Sequence, residues 1–283
     1  MAKISVIGIC GNSVFMTVDH FHKKGETLHA SSLYEEYGGK GMNQAVAAAR
    51  FGAEVSFLAA VGDDVHAQKI KTVLEQNKIK PYLVKKPCEN TANALILTDS
   101  LGENQVTVYK GATLCTDDVS LFERAITESE ILLLQHEVPS SVNQKAVEIA
   151  KKYNVKVILN PAPIADISDD VADYIFAVTP NEQEAKAIDN SRFQNVVKTV
   201  GSKGCVINEK TAVPSKKVTA VDTTGAGDTF NGILAVMLAE GNSLELACKY
   251  ANIGAALSVT KPYVLNGIPN RTEIENFIKK EKI

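Results

Sequence analysis

Short apolar runs rich in β-branched residues recur along the chain, at 3–9 (KISVIGI), 54–61 (EVSFLAAV), 131–135 (ILLLQ), 155–160 (VKVILN) and 174–180 (YIFAVTP). Between them lie Ala-rich or charged stretches of helical period, at 41–51, 64–77, 117–128, 139–153 and 181–189. Strands that are apolar at nearly every position are buried on both faces, and strands alternating with helices form parallel sheets. The pattern predicts an α/β fold: a central, mainly parallel sheet with helices on both faces. After residue 228 the alternation stops, and three helices follow at about 227–240, 243–259 and 271–280. Gly241-Asn242-Ser243 supplies a stop for the first and a cap for the second.

Two regions break the pattern, 12–37 and 88–110. Both are strand-like but half-polar, as in TANALILTDSLGENQVTVY (91–109), where DSLGEN at 99–104 has the composition of a hairpin turn. Strands with one polar face, inserted into a parallel frame, predict a small antiparallel sheet standing off the main body. It is either a lid over a cleft or an edge ornament. The chain shows no linker, repeat or low-complexity tract, so residues 1–283 are expected to form a single domain carrying this insertion.

Composition narrows the function classes. The 283 residues are 45% hydrophobic and 22% charged, with a net charge of −3 spread along the chain. No basic face points to nucleic acid. The first residues, MAKISVIGICG, lack the pattern of a signal peptide, and no apolar run reaches the ~18 residues of a membrane span. Five dispersed cysteines without a CxxC pair point to reduced thiols rather than zinc or disulfides, and to a cytoplasmic protein.

Two glycine-rich turns carry the candidate chemistry. In DTTGAGDTFNG (222–232), Gly225, Ala226 and Gly227 precede an apolar helix, whose first N–H groups lack intrahelical acceptors and attract anionic oxygen. Asp228 is the wrong charge for a plain phosphate cradle. It suits a base placed beside an anion hole, as phosphoryl transfer to an alcohol requires, although an acidic first turn is also ordinary at a helix start. The second turn, in YGGKGMNQAVAAARFG (37–52), is not a Walker A loop, because Lys40 lies between glycines and no Ser or Thr follows. There Gly38, Gly39 and Gly41 lead into a helix, with Lys40 and Asn43 projecting at its mouth as hydroxyl binders.

Several segments, in order, resemble the ribokinase-like (pfkB-type) carbohydrate kinases over nearly the whole chain. They are GGKGMNQAVAAARFGAEVSFLAAVGDD (38–64), LLLQHEVP (132–139), LNPAP (159–163), TPNEQEA (179–185), TVGSKG (199–204) and AVDTTGAGDTFNG (220–232). The resemblance implies ATP and Mg²⁺, with Asp228 as the base and Gly225, Ala226 and Gly227 as the anion hole. It implies sugar contacts from Gly39, Lys40, Gly41, Asn43 and Glu137, and a magnesium role for Asn181 and Glu184. Thr199, Gly201, Ser202 and Gly204 would line the nucleotide, and Asn252 would lie near adenine. The two inserted regions match the family's lid, which implies a functional flap and a homodimer paired through the lid sheet.

Three departures qualify the resemblance. Ribokinases proper carry Asn-x-Asp after the first strand, whereas this chain reads Gly11-Asn12-Ser13. With that carboxylate gone, ribose is not implied as the acceptor. Asn12 and Ser13 stand where a differently substituted sugar would bind, with Asp19 as a remote substitute for the missing acid. Between the NxxE and GSKG motifs only 189–198 remain, so an outer helix is expected to be short or absent. Finally, KPYVLNGIP (261–269) replaces a Gly-containing turn, which leaves open a monovalent cation such as K⁺ at Asp222.

The sequence therefore predicts an ATP-dependent kinase acting on a hydroxymethyl group of a small sugar or polyol. A nucleoside kinase of the same fold, or a non-catalytic sugar- or nucleotide-binding regulator, are the alternatives.

Overall fold

Strand β1 (Lys3–Ile7) leaves the body upward and feeds directly into the first lid strands, β2 (Gly11–Thr17) and β3 (Ser32–Gly38). The chain then lays down β4 (Glu54–Val61) and β5 (Lys80–Lys85), returns to the lid as β6 (Ala92–Thr98) and β7 (Asn104–Tyr109), and completes the body with β8 (Ile131–Gln135), β9 (Lys156–Asn160) and β10 (Ile175–Val178). Strands β11 (Val197–Thr199), β12 (Gly204–Ile207) and β13 (Thr211–Pro214) form a separate small antiparallel sheet. The structure, a computed structural model, describes residues 1–281, so the last two residues of the expected 1–283 domain lie outside it.

The central sheet runs β10-β9-β8-β1-β4-β5 and is parallel throughout. Its strands divide their side chains between two cores. On β8, Ile131 and Leu133 enter one core and Leu132 and Leu134 the other; on β4, Phe57 and Ala59 oppose Leu58 and Ala60. That is the period of two expected for a sheet covered on both faces. Helices α1 (Lys40–Arg50), α2 (Val65–Gln76), α4 (Ala226–Ala239), α5 (Leu244–Ser258) and α6 (Arg271–Glu281) contribute to the first core, and α3 (Ser140–Lys152) to the second. Local chemistry starts these helices where the sequence places them. Asp64 caps α2 by accepting the Ala67 N–H at 3.0 Å, and Ser243 caps α5 by accepting from Leu246 at 3.3 Å.

The lid strands run β3-β2-β6-β7. The outer pairings are antiparallel, as expected, but the central β2–β6 pairing is parallel. Both strands rise from the carboxyl ends of parallel strands, β2 from β1 and β6 from β5, so they must point the same way. At the predicted turn, Asp99 Oδ1 accepts the N–H groups of Leu101 and Glu103, at 2.9 and 3.0 Å. Asp64 also ties the lid's base to α2, accepting from the Thr91 N–H at 2.7 Å and its hydroxyl at 2.8 Å.

Three expected elements differ. The 117–128 helix is two short ones, Thr116–Ser120 and Glu123–Thr127, separated at Phe122, whose ring is fully buried. The 181–189 helix shrinks to Glu184–Ala187, because Asn181 Oδ1 turns the chain by accepting the N–H groups of Gln183 and Glu184. After it comes only a 3₁₀ turn at Asn190–Arg192, so the outer helix is absent, as the short spacing predicted.

Candidate active site

The site exists because two pairs of elements approach more closely than side chains allow. Where α1 begins, a Cβ on Gly41 would lie 2.6 Å from the Gly8 Cα, so the helix start sits directly on the end of β1. Where α4 crosses α1, a Cβ on Gly232 would lie 2.6 Å from both the Ala47 Cβ and the Gln44 carbonyl oxygen. This contact carries Asp228, one turn before Gly232, onto the polar end of α1. Asp228 is only 6% exposed. Its Oδ2 accepts from Asn43 Nδ2 at 2.9 Å and its Oδ1 from Gln44 Nε2 at 3.0 Å.

Behind these contacts the polar chain continues through the sheet. Gln44 Nε2 also donates to Asn160 Oδ1 at 3.2 Å, and Gln44 Oε1 accepts from Gln135 Nε2 at 2.6 Å. Asn160 donates to the Thr179 carbonyl at 3.2 Å, while the Thr179 hydroxyl donates to Asn231 Oδ1 at 2.6 Å. Asn231 donates to the Gly227 carbonyl at 2.8 Å and closes the path back to α4. Gln135 and Asn160 end β8 and β9, and Thr179 follows β10, so three adjacent parallel strands deliver one polar group each at their carboxyl ends. That edge of an open α/β sheet is where such folds bind ligands. The sequence reading named none of these five residues. Their signal was a polar side chain at the end of each apolar strand or inside an apolar helix.

Two cavities are lined by the expected residues. The larger, about 510 Å³, is lined by Lys40, Asn181, Glu184, Thr199 and Gly201, and by Gly225, Gly227 and Asp228 at the start of α4. Gly225 caps α4 in the left-handed conformation at φ 75°, leaving Ala226, Gly227 and Asp228 as its first turn. Lys40, Glu182, Glu184 and Asp228, four acidic or cationic residues, therefore bound a space that also receives a helix N-terminus. The smaller cavity, about 140 Å³, is lined by Gly8, Lys110, Thr113 and Glu137. Glu137 Oε2 accepts the Lys40 N–H at 2.8 Å. Burial pushes the Glu137 carboxyl up to about 7, against the pull of Lys40.

The expected residues separate into groups. Gly39 (the cap of α1), Lys40, Gly41 and Asn43 are together, but the Lys40 side chain lines the larger cavity rather than the smaller. Asn43 Oδ1 is buried and unpaired, free to accept a hydroxyl. Ser13 pairs with Glu36 and Asn12 with Tyr37, so the two face opposite sides of the lid. Tyr37 hydrogen-bonds His66 of α2, which places Asn12 on the lid's other face, away from the site; only Ser13 shares a face with Glu36 and Gly38. On the nucleotide side, Ser202 is exposed on the 3₁₀ turn Gly201–Lys203. Gly204 backs onto the Val213 carbonyl, and Asn252 is buried, donating to that same carbonyl at 2.8 Å. Asn252 thus ties the small sheet to α5, Gly204 lets β12 lie close to β13, and neither lines the larger cavity.

The implied metals fare differently. Glu184 accepts from the backbone N–H of Asn181 at 2.8 Å and from its side chain at 2.7 Å, and it reaches the larger cavity as a desolvated carboxylate. One oxygen donor with room for water fits Mg²⁺ held mainly by phosphates. Asp222 Oδ1 accepts the Thr224 N–H at 2.9 Å and Oδ2 the Tyr263 N–H at 3.0 Å, so each oxygen keeps one further lone pair for a monovalent cation.

A family model for the "pfkB family carbohydrate kinase" matches residues 1–271. The chain belongs to the pfkB family of carbohydrate kinases. The kinase is 35% identical over 300 residues to the ribokinase of Haemophilus influenzae, covering 98% of each chain. Its structure is similar to that of the ribokinase of Thermotoga maritima, with a TM-score of 0.89 at 34% identity over 99% of this chain and 100% of the other. It is also similar to the Arabidopsis thaliana ribokinase solved with ribose and ATP, with a TM-score of 0.86 at 26% identity over 99% of both chains. This chain is an ATP-dependent carbohydrate kinase. Among the described residues no helix is long and apolar enough to cross a membrane, and none of the five cysteines is paired.

Proposed function

We propose that this kinase moves the γ-phosphoryl group of Mg-ATP to the hydroxymethyl group of a small sugar or polyol held between Glu137, Asn43 and the lid. The observation that carries the reading is the position of Asp228, which lines the nucleotide-sized cavity while both its oxygens are held by the sugar-side helix α1. The acceptor's hydroxyl proton passes to an Asp228 oxygen as the alcohol oxygen attacks phosphorus, and ADP leaves. The first-turn N–H groups of α4 stabilise charge on the transferring phosphoryl group, and the Lys40 ammonium reinforces them. Magnesium, held through Glu184, supplies charge neutralisation on the phosphates when bound. Closure of the lid excludes water that would otherwise compete as acceptor.

The relatives named ribokinase favour a pentose, and the loss of the Asn-x-Asp carboxylate limits that inference. Ser13 offers one hydroxyl where those relatives offer an acid, so we infer an acceptor whose ring carries fewer or differently placed hydroxyls at that edge. The small volume beside Glu137 favours a free sugar over a nucleoside. Leu33, Leu95 and Tyr109, exposed on one face of the lid, support pairing with the lid of a second copy, and the composition supports a cytoplasmic site of action.

Replacing Asp228 by Asn keeps the shape and both cavities but removes the base. Turnover should fall by about 10²–10⁴-fold while calorimetric binding of ADP stays unchanged. Wild-type turnover in D228N would overturn the assignment.

A further inference from the structure

The side chain of Gln44 spends every polar atom on the site. Its amide nitrogen gives one hydrogen to Asp228 Oδ1 and the other to Asn160 Oδ1, and its oxygen accepts from Gln135. Gln44 and Gln135 are both fully buried, with no water-facing surface to turn to. The order of donors in this chain is forced rather than chosen. A carboxylate can only accept, so Gln44 must turn its nitrogen to Asp228, and its oxygen must then face Gln135. At the other end, the Thr179 carbonyl also only accepts, so Asn160 must present its nitrogen there and its oxygen to Gln44. Gln135 is backed by Gly8, where a Cβ would come within 2.3 Å of Gln135 Oε1, so it has no room to swing away.

We propose that Gln44 is a positioning residue for the base, fixing the carboxylate plane of Asp228, and that Gln135 acts through Gln44 to keep its nitrogen turned to that carboxylate. The proposal rests on the reading of Asp228 as the base. A carboxylate in a buried site rotates about its last bond unless each oxygen is claimed. Asn43 claims Oδ2 from the sugar-side turn and Gln44 claims Oδ1 from one residue further along α1. With one N–H on each oxygen, the remaining lone pairs lie in a fixed plane, where an attacking alcohol can deliver its proton. The charged groups facing Asp228 are Lys40 from α1, Glu137 from the segment after β8, and Glu182 and Glu184 across the larger cavity. None of them is altered by changing Gln44 or Gln135.

The test is a pair of variants with unbranched apolar side chains of similar volume, Gln44→Met and Gln135→Met. Each is assayed for kcat and acceptor KM from acid to neutral pH, together with ADP binding by calorimetry and thermal melting. In Q44M, kcat at neutral pH should fall by about 10–100-fold, and the pH at which activity is lost on the acid side should move upward. Acceptor KM and ADP affinity should stay within about twofold, since Gln44 contacts neither ligand site directly. Q135M should move the acid limb the same way with a smaller loss of kcat, although it does not touch Asp228. A structural role alone would lower the melting temperature and reduce activity equally at every pH. An acid limb unmoved in both variants, or a loss confined to KM or ADP affinity, overturns the proposal. If Q44M does not fold, Q135M carries the test, because both donors to Asp228 remain in it. Parallel assay of D228N separates the two failures: an inactive D228N with unmoved limbs refutes the positioning role alone, whereas an active D228N refutes the base itself.

Discussion

Glu137 is a carboxylate whose surroundings set when it is charged. Its folded value of about 7 lies above the 4.5 of a free side chain, because burial disfavours the ion. The folded state therefore holds its proton more tightly than the unfolded state. The stability this contributes is fully present below pH ~4.5 and is lost as pH rises through about 7. Glu137→Gln cannot ionise, so its melting temperature should match the wild type in acid and exceed it at pH ~8. The gap should be on the order of 2 kcal/mol in unfolding free energy by denaturant titration. In the wild type the acceptor KM should fall as pH rises through this range, because the ionised oxygen is the stronger hydroxyl acceptor, and in E137Q it should be flat. Residue identities of this kind were legible in the sequence, since Lys40 and Asp228 line the larger cavity, Glu137 lines the smaller, and Asn43 hydrogen-bonds Asp228. Which way a side chain faces was less legible. Asn12 and Ser13 differ by one position on a strand, and only the pairing of Ser13 with Glu36 shows which of them turns to the site. The partners of the base were hidden for another reason: Gln44, Gln135 and Asn160 become meaningful only when three strand ends are brought side by side.

At the scale of elements, the site depends on how tightly α4 lies on α1. Gly232 faces the backbone carbonyl of Gln44 and the methyl of Ala47, neither of which is the far end of a flexible chain. Gly232→Ala should destabilise the fold by about 1–3 kcal/mol through overpacking, read by denaturant titration. It should also lower kcat more than nucleotide affinity, because separating the helices draws Asp228 away from Asn43 and Gln44. A variant as stable and active as the wild type would show that the crossing has slack. The long apolar strands and the helices with strong period were readable for the reason that makes them stable, continuous burial. The elements that escaped, β5 and β11 to β13, are short or half-exposed, with few apolar positions to mark them. Their register comes from neighbours, as in the bridge that joins Asn181 to Thr199 and aligns the turn after β10 with the small sheet.

For the whole molecule, the lid and the anion turn are one mechanical unit. Glu36 of β3, 6% exposed, accepts the N–H groups of Val264 and Leu265 at 2.8 and 3.1 Å. Tyr34 stacks on Tyr263 with ring centroids 3.6 Å apart, and Phe15 meets the same ring edge-on at 5.4 Å. Val264 in turn packs behind Gly225, where a Cβ would come within 2.3 Å of its methyl carbon. The segment 261–269, a departure from the family pattern in the sequence, is thus the strut between the lid sheet and the glycine turn that starts α4. The account's central claim is that this assembly phosphorylates a small sugar or polyol. The most direct measurement is acceptor-dependent ADP release by the purified chain with Mg-ATP over pentoses, deoxypentoses, hexoses, polyols and nucleosides, with phosphorus NMR of the product. The account predicts turnover with at least one free sugar or polyol, a phosphomonoester on its hydroxymethyl carbon, and weaker turnover with every nucleoside. ADP release that no acceptor stimulates, or that only nucleosides stimulate, would contradict it.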